Sequence, residues 1–254
     1  KENRVFAKMG LDVINEAPRP GIRALIEVSG IKKPAIEAED LAFRLAPRLN
    51  AAGRMDHARL AVELLTTGDI DEARRIAETI NGLNTRRQTV ENQIRRRIEL
   101  YLEQAPDMAS QKSIVLASDE WHQGVLGIVA SRLADKYCRP VVLFALKEDG
   151  GVGSARSIPG IDLYQSLTAC QCHLETFGGH AMAAGLALAP DKLTAFNERF
   201  EQAVAKESGL APVSPALDIC GRVSLRELGE QVFREMEMLA PFGHSNPEPL
   251  YACL

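Results

Sequence analysis

Three clusters of residues in this 254-residue chain combine anion-holding side chains with small neighbours that let a ligand come close. The first is Arg48-Leu49-Asn50-Ala51-Ala52-Gly53-Arg54, lying between two helical stretches. Its two guanidinium forks and its amide flank two alanines and a glycine, a composition suited to bidentate capture of a phosphate. The same residues would also serve as a helix–helix connection, with Gly53 as a cap and the arginines in solvent. The second cluster is Gly151-Val152-Gly153-Ser154-Ala155-Arg156-Ser157. In an extended segment residues 154 and 156 project to one face, which sets the Ser154 hydroxyl beside the Arg156 cation. The alternative is a polar strand end running into a turn at Pro159-Gly160. The third is Phe177-Gly178-Gly179-His180-Ala181-Met182-Ala183-Ala184-Gly185. Paired glycines admit a ligand to the backbone, and the amides of a glycine turn opening a helix bind anions. His180 can donate to a phosphate or stack on a base, although a histidine beside glycines also occurs for structural reasons alone.

Other patterns exclude chemistry. Cys170-Gln171-Cys172-His173 lacks the Cys-x-x-Cys spacing and a second pair of ligands, so zinc is not expected there. Trp121-His122-Gln123-Gly124 sits at a strand-to-helix junction, where His122 is either a site residue or a cap. Apart from Asp69-Ile70-Asp71 at the start of the long helical pattern there is no Asp-x-Asp, and there is no acidic cluster rich in histidine and no glycine-rich loop ending in Gly-Lys-Ser or Gly-Lys-Thr. A hard-metal centre and a nucleotide-hydrolysis loop are therefore not expected within the chain.

The elements that position these clusters change character along the chain. Residues 1–68 hold short helical patterns (Val5–Val13, Gly21–Val28, Asp40–Leu45, His57–Leu65) broken by prolines, with no convincing strand. From Asp71 to about Gln104, apolar residues step by three and four, the mark of one long helix of roughly 50 Å at 1.5 Å per residue. It reads as a rod connecting two domains. Beyond Pro106 the pattern alternates: strands at Ser113–Ala117, Pro140–Ala145, Gly151–Arg156 and Gly185–Leu188, with helices at Val125–Tyr137, Asp162–Leu174 and Asp191–Lys206. This predicts an α/β domain whose sheet is mixed and partly parallel. Pro212 and Pro215 mark a boundary, after which a strand (Leu217–Val223) and a helix opened by Ser224 and Glu227 are expected.

Composition and charge set further bounds. With 46% hydrophobic and 25% charged residues the chain is globular in type, and no apolar run approaches the ~20 residues of a transmembrane helix. Five cysteines in a chain of this size suggest reduced thiols and a cytoplasmic setting. The net charge of −4 hides an asymmetry: residues 1–97 carry 18 Lys and Arg against 14 Asp and Glu, so the remainder carries a net −8. Seven arginines fall between Arg74 and Arg97. They are either a stripe for a phosphate backbone or a solvated helix face.

Together the clusters resemble the single-strand-specific 5′-to-3′ exonucleases of the DHH phosphoesterase superfamily. The resemblance is carried by Arg19–Leu25, Leu45–Arg54, Trp121–Ala130, Gly153–Ile158 and Phe177–Leu186, in that order along the chain. It implies the helical end of a truncated DHH catalytic domain (1–69), a connecting helix (70–106), a DHH-associated α/β domain (107–211) and the approach to an oligonucleotide-binding fold (212–254). Pro241–Pro249 departs from the family pattern, with Ser245 where a glycine is usual. The two divalent metals of the family, manganese or magnesium, would be held by an N-terminal DHH domain upstream of Lys1, so that no metal is bound by this chain and the fragment alone is inactive. Residue by residue, the resemblance implies that Arg54 and Arg48, with Ser154 and Arg156, contact a 5′-terminal phosphate. Gly178, Gly179 and His180 would lie near the scissile phosphate, and Asn50 and Ser157 complete the expected nucleic-acid-binding set. The implied partner is single-stranded DNA, with DNA-repair proteins as further candidates and the chain a monomer. The rival readings are a DHH-family phosphodiesterase of short oligonucleotides or cyclic dinucleotides, a non-catalytic nucleic-acid-binding module, and an editing domain like that of alanyl-tRNA synthetases.

Overall fold

The computed structural model describes residues 2–148, 150–208, 217–243 and 245–253. The chain divides into two compact units, residues 1–85 with 216–254, and residues 86–215. The boundary expected at Pro212 and Pro215 lies outside the described residues.

The first unit opens with helices: α1 (Glu2–Glu16), α2 (Pro20–Ser29), α3 (Ala38–Asp40), α4 (Ala46–Met55) and α5 (Arg59–Thr66). α2 has proline in its first turn and Gly30 at its end in the left-handed region, φ 70°, the pairing that starts and stops a helix at least cost. A π-helical turn, Leu41–Leu45, carries α3 directly into α4. Ala24, Leu25, Leu45, Ala52, Leu64, Ala73, Ala77 and Ile80 form the buried core of this unit. The last three belong to α6 (Ile70–Gln104), 35 residues long. Gly82 does not interrupt this helix, whose residues from Arg86 onward belong to the second unit.

The second unit runs β1 (Ile114–Ser118), α7 (Gln123–Tyr137), β2 (Val141–Lys147), β3 (Gly150–Arg156), α8 (Leu163–Thr168), β4 (Thr176–His180), β5 (Ala183–Leu188) and α9 (Leu193–Ser208). Its five strands form one sheet in the order β1-β2-β3-β5-β4. The sheet is mixed, as expected, but only β1 and β2 pair in parallel. They are joined by α7, whereas β4 and β5 are separated by two residues, 181 and 182, which permits only an antiparallel hairpin. Val141–Ala145 of β2 are buried because helices cover both faces there. On one face the Phe144 ring meets Phe196 edge-on at 5.6 Å, and Phe196 stacks on Phe200 at 5.6 Å, so α9 seals that side. On the other, α7 packs on β2 and β3 through Val125, Leu126, Val129 and Leu133.

α7 is also clamped to α6 by ion pairs. Glu91, 1% exposed at its side chain, takes Arg87 and Arg132 at 2.8 Å each, and Glu99 takes Arg95 at 3.1 Å and Lys136 at 3.0 Å. Burial pushes the Glu99 carboxyl up, but the hydrogen bond and charge of Lys136, with Arg95, outweigh it and hold the group below its ordinary range.

After the second unit come β6 (Gly221–Val223), α10 (Glu230–Glu237) and β7 (Tyr251–Cys253), with β6 and β7 paired in parallel. Ser224 N–H donates to the Glu227 carboxylate at 2.7 Å, yet this closes a turn, and the helix starts later, at Glu230. The helix expected over Asp162–Leu174 stops at Thr168 and is followed by a 3₁₀ turn at Gln171–His173. Among the described residues no helix is long and apolar enough to cross a membrane.

Candidate nucleic-acid interface

Directly paired residues of neighbouring strands point to the same face of a sheet. Ser154 of β3 pairs with Gly185 of β5, which pairs with Gly178 of β4; Arg156 pairs with Ala183, which pairs with His180. Two parallel rows therefore cross three strands on one face, opposite to the face of Phe144, which is the partner of Gly153. α7 covers β2 and the near side of β3 on this face, leaving Ser154 and Arg156 half-buried, while Gly185, Gly178 and His180 are exposed. The result is an open shelf with small residues as its floor, a hydroxyl and a guanidinium on one side and an imidazole on the other.

The polar groups are held locally. Arg156 donates to the Ala155 carbonyl at 2.7 Å and to Ser154 Oγ at 3.3 Å, so the two side chains act as a pair. His180 Nδ1 accepts from the Met182 N–H at 3.2 Å, which leaves Nε2 as the proton-bearing nitrogen of the neutral ring. Gly178-Gly179-His180 is an edge strand, and so the glycine turn opening a helix, expected from the sequence, is not formed: the ladder with β5 satisfies the backbone instead. The two glycines differ. A Cβ on Gly179 would sit 2.2 Å from the Ala183 carbonyl oxygen, and its φ is +155°, so packing itself requires glycine. A Cβ on Gly178, or on Gly185 opposite it, would meet nothing within 4 Å. Bare backbone on the shelf is thus not demanded by the fold. It is what close approach of a ligand needs.

Ser157 does not belong to this face. It is 7% exposed, and its hydroxyl donates to the Ile161 carbonyl at 2.8 Å, closing the loop after β3. In the first unit, Arg48, Asn50 and Arg54 lie inside α4 rather than in a connection between helices. Asn50 and Arg54, four residues apart, share one face. Arg48 lies on another, where Nε donates to Asn81 Oδ1 at 2.9 Å and Nη1 to the Arg44 carbonyl at 2.7 Å. Burial and the Arg44 charge hold its guanidinium below its ordinary pKa. Arg48 is thus a tie to α6, whereas Arg54 is half-buried in the last turn of α4.

The arginine stripe of α6 is largely taken up by the protein: Arg74 pairs with Glu27 at 2.9 Å, Arg87 with Glu91, Arg95 with Glu99 and Arg97 with Glu120. A groove of about 400 Å³ lined by Arg97, Tyr101, Leu116 and Trp121 is correspondingly less suited to an anion than the shelf. His122 proves to be the N-cap of α7, its Nδ1 accepting from the Gly124 N–H at 3.1 Å. The cysteines are free thiols, and burial pushes Cys170 up to about 11, which disfavours metal ligation. Among the described residues, no group of three or more His, Cys, Asp or Glu is placed to hold a metal ion. Gly127 of α7, which backs the Ser154–Arg156 pair, was missed by sequence reasoning. The signals for it are a glycine inside a strong helical pattern and its place in the Trp121–Ala130 stretch that carries the resemblance.

Comparison with known proteins agrees with this fold. Residues 110–206 match the DHHA1 domain. The single-stranded-DNA-specific exonuclease RecJ of Bacillus subtilis is 39% identical over 98% of the chain, which spans 32% of that protein's length. RecJ of Escherichia coli is 37% identical, again over 98% of the chain and 44% of its own length. The crystal structure of RecJ in complex with Mn²⁺ from Thermus thermophilus superposes with a TM-score of 0.87 at 37% identity, covering 99% of this chain and 36% of that one. A second structure of that RecJ, in complex with Mg²⁺, gives 0.84 over 98% of this chain and 38% of that one.

Proposed function

We propose that this chain, a DHHA1-bearing relative of the RecJ exonucleases, is the strand-binding part of a 5′-to-3′ single-stranded-DNA exonuclease acting in DNA repair and recombination. The observation that carries this reading is the shelf: Ser154 and Arg156 as a coupled donor pair beside backbone left bare at Gly178 and Gly185 without a packing reason. A terminal phosphate is a compact dianion with three oxygens, suited to a guanidinium fork and a hydroxyl together. A sugar-phosphate backbone continuing over glycine and alanine would lie flat and close, with His180 Nε2–H directed at a further phosphate. Arg54, with Asn50 on the same helix face, would supply a second cation for the strand.

The chemistry is assigned elsewhere. Phosphodiester hydrolysis by a metal pair needs clustered carboxylates and imidazoles to hold the ions, and the described residues do not fit that requirement. No hydrolytic step is therefore routed through this chain's own residues. In this reading, their task is to hold the strand and fix its end, from the cytoplasm and as a monomer, for a two-metal centre of manganese or magnesium carried by an N-terminal DHH domain. The chain alone with Mn²⁺ is expected to leave single-stranded DNA intact.

Fluorescence anisotropy with single-stranded oligonucleotides ending in 5′-phosphate or 5′-hydroxyl tests the assignment. The chain is expected to prefer the phosphate by about tenfold, equivalent to about 1.4 kcal/mol, and Arg156→Ala to abolish that preference. Equal loss of affinity for both ends would count against a phosphate pocket at Arg156.

A further inference from the structure

Gly127 lies in the first turns of α7, buried against the sheet. A Cβ built on it would fall 2.7 Å from Arg156 Nη2, 2.9 Å from Ser154 Oγ and 3.4 Å from Arg156 Cζ. Every one of these atoms is the far end of a side chain, and both side chains belong to the donor pair of the shelf. Glycine is among the poorest residues for a helix interior, so the helix gains nothing from it locally. What its missing side chain provides is the space in which the guanidinium rests against the helix backbone, with Ser154 Oγ beside it.

We infer that Gly127 is a positioning residue: it acts through Arg156 and Ser154, setting where their donors stand and hence the discrimination between a phosphate-bearing strand end and a plain one. The inference rests on the phosphate-binding reading of the shelf. Any side chain at 127 would drive the guanidinium toward the open face and part it from Ser154, while the sheet and α7 keep their backbone positions, because the colliding atoms are mobile. The helix thus forms the back wall of the pocket and fixes its depth. A terminal phosphate, with one oxygen more to satisfy than an internal diester, is the species whose recognition depends most on that depth.

The test uses the whole 254-residue chain and two oligonucleotides that differ only in a 5′-phosphate or a 5′-hydroxyl. Gly127→Ala is expected to remain folded by circular dichroism and to lower the ratio of the two affinities by about fivefold. In an Arg156→Ala background the same change is expected to leave the ratio untouched, since the group it displaces is gone. If Gly127→Ala fails to fold, Gly127→Ala/Arg156→Ala is expected to fold, because two of the three contacts have been removed; equal instability in both backgrounds overturns the inference. A wild-type chain with no phosphate preference sinks the shelf reading itself. A wild-type preference that Arg156→Ala abolishes and folded Gly127→Ala keeps sinks only the role of Gly127.

Discussion

Gly178 and Gly179 are neighbours on one edge strand, and the structure requires glycine at only one of them. At Gly179 an added methyl meets the Ala183 carbonyl oxygen at 2.2 Å and the Ala184 Cα at 2.6 Å. Backbone of a paired strand cannot yield as a side chain can, so Gly179→Ala is expected to destabilise the protein by about 2 to 3 kcal/mol. At Gly178 the same methyl enters open space. Gly178→Ala should therefore change stability by less than about 0.5 kcal/mol while weakening the binding of single-stranded DNA, because the methyl stands where the strand is proposed to lie. Urea denaturation of each variant, paired with an oligonucleotide titration, separates the two. Equal stability effects at the two positions would show that the contrast is not real. The glycines were visible in the sequence, but their division of labour was not, because it depends on how closely β5 approaches at each register position. Arg156 and Ser154 were legible as a pair from their alternate spacing alone. Ser157 falls to the alternative offered for its cluster, a strand end running into the Pro159-Gly160 turn, where the Ile161 carbonyl four residues on takes up its hydroxyl.

Elements with a strong period were the most legible. α6 and α7 were readable almost to their ends, since regular burial along a helix leaves an unambiguous pattern. β4 was not. Its residues, Thr176–His180, include two glycines, are mostly exposed and owe their extended form to pairing with β5 rather than to any propensity of their own. The same limit applies to charge. The arginines of α6 read as a surface stripe because their carboxylate partners stand on the same helix, on α2 or in the loop before α7. The clamp between α6 and α7 makes two predictions. Glu91 is buried, and Arg87 beside it has a side chain only 9% exposed, so Glu91→Ala strands a charge and should cost about 3 kcal/mol. Glu91→Ala/Arg87→Leu should recover about half of that loss in chemical denaturation, and failure to recover would mean that packing, not charge, holds the joint. Glu99 adds a pH dependence. Its folded-state pKa is depressed, so its contribution is present above the ordinary value of 4.5 and is lost as pH falls through the lower folded value. Between those two values Glu99→Gln should show a flatter decline in melting temperature than the wild type.

At the scale of the whole molecule, charge argues against broad electrostatic attraction to DNA. The chain carries a net −4, and residues 98–254, which contain the shelf, carry −8. Most arginines of α6 are already paired, so the proposed strand binding would rest on a few placed cations, Arg156 and Arg54 foremost. Salt dependence tests this. For single strands, log K falls with log salt at about −0.7 for each phosphate neutralised. Two cations predict a slope near −1.4, and Arg156→Ala should bring it to about −0.7. If the exposed Arg75, Arg86 and Arg96 also bound phosphates, the wild-type slope would exceed about −3 and Arg156→Ala would change it by less than a quarter of its value. Titrations with a 5′-phosphorylated oligonucleotide between about 50 and 300 mM salt distinguish these cases, because Arg156 then has the terminal phosphate that it is proposed to hold. A steep slope insensitive to Arg156 would relocate the strand from the shelf to the helix stripe. A shallow one that halves on loss of Arg156 would place the binding energy in local geometry, in a protein whose overall charge repels its ligand.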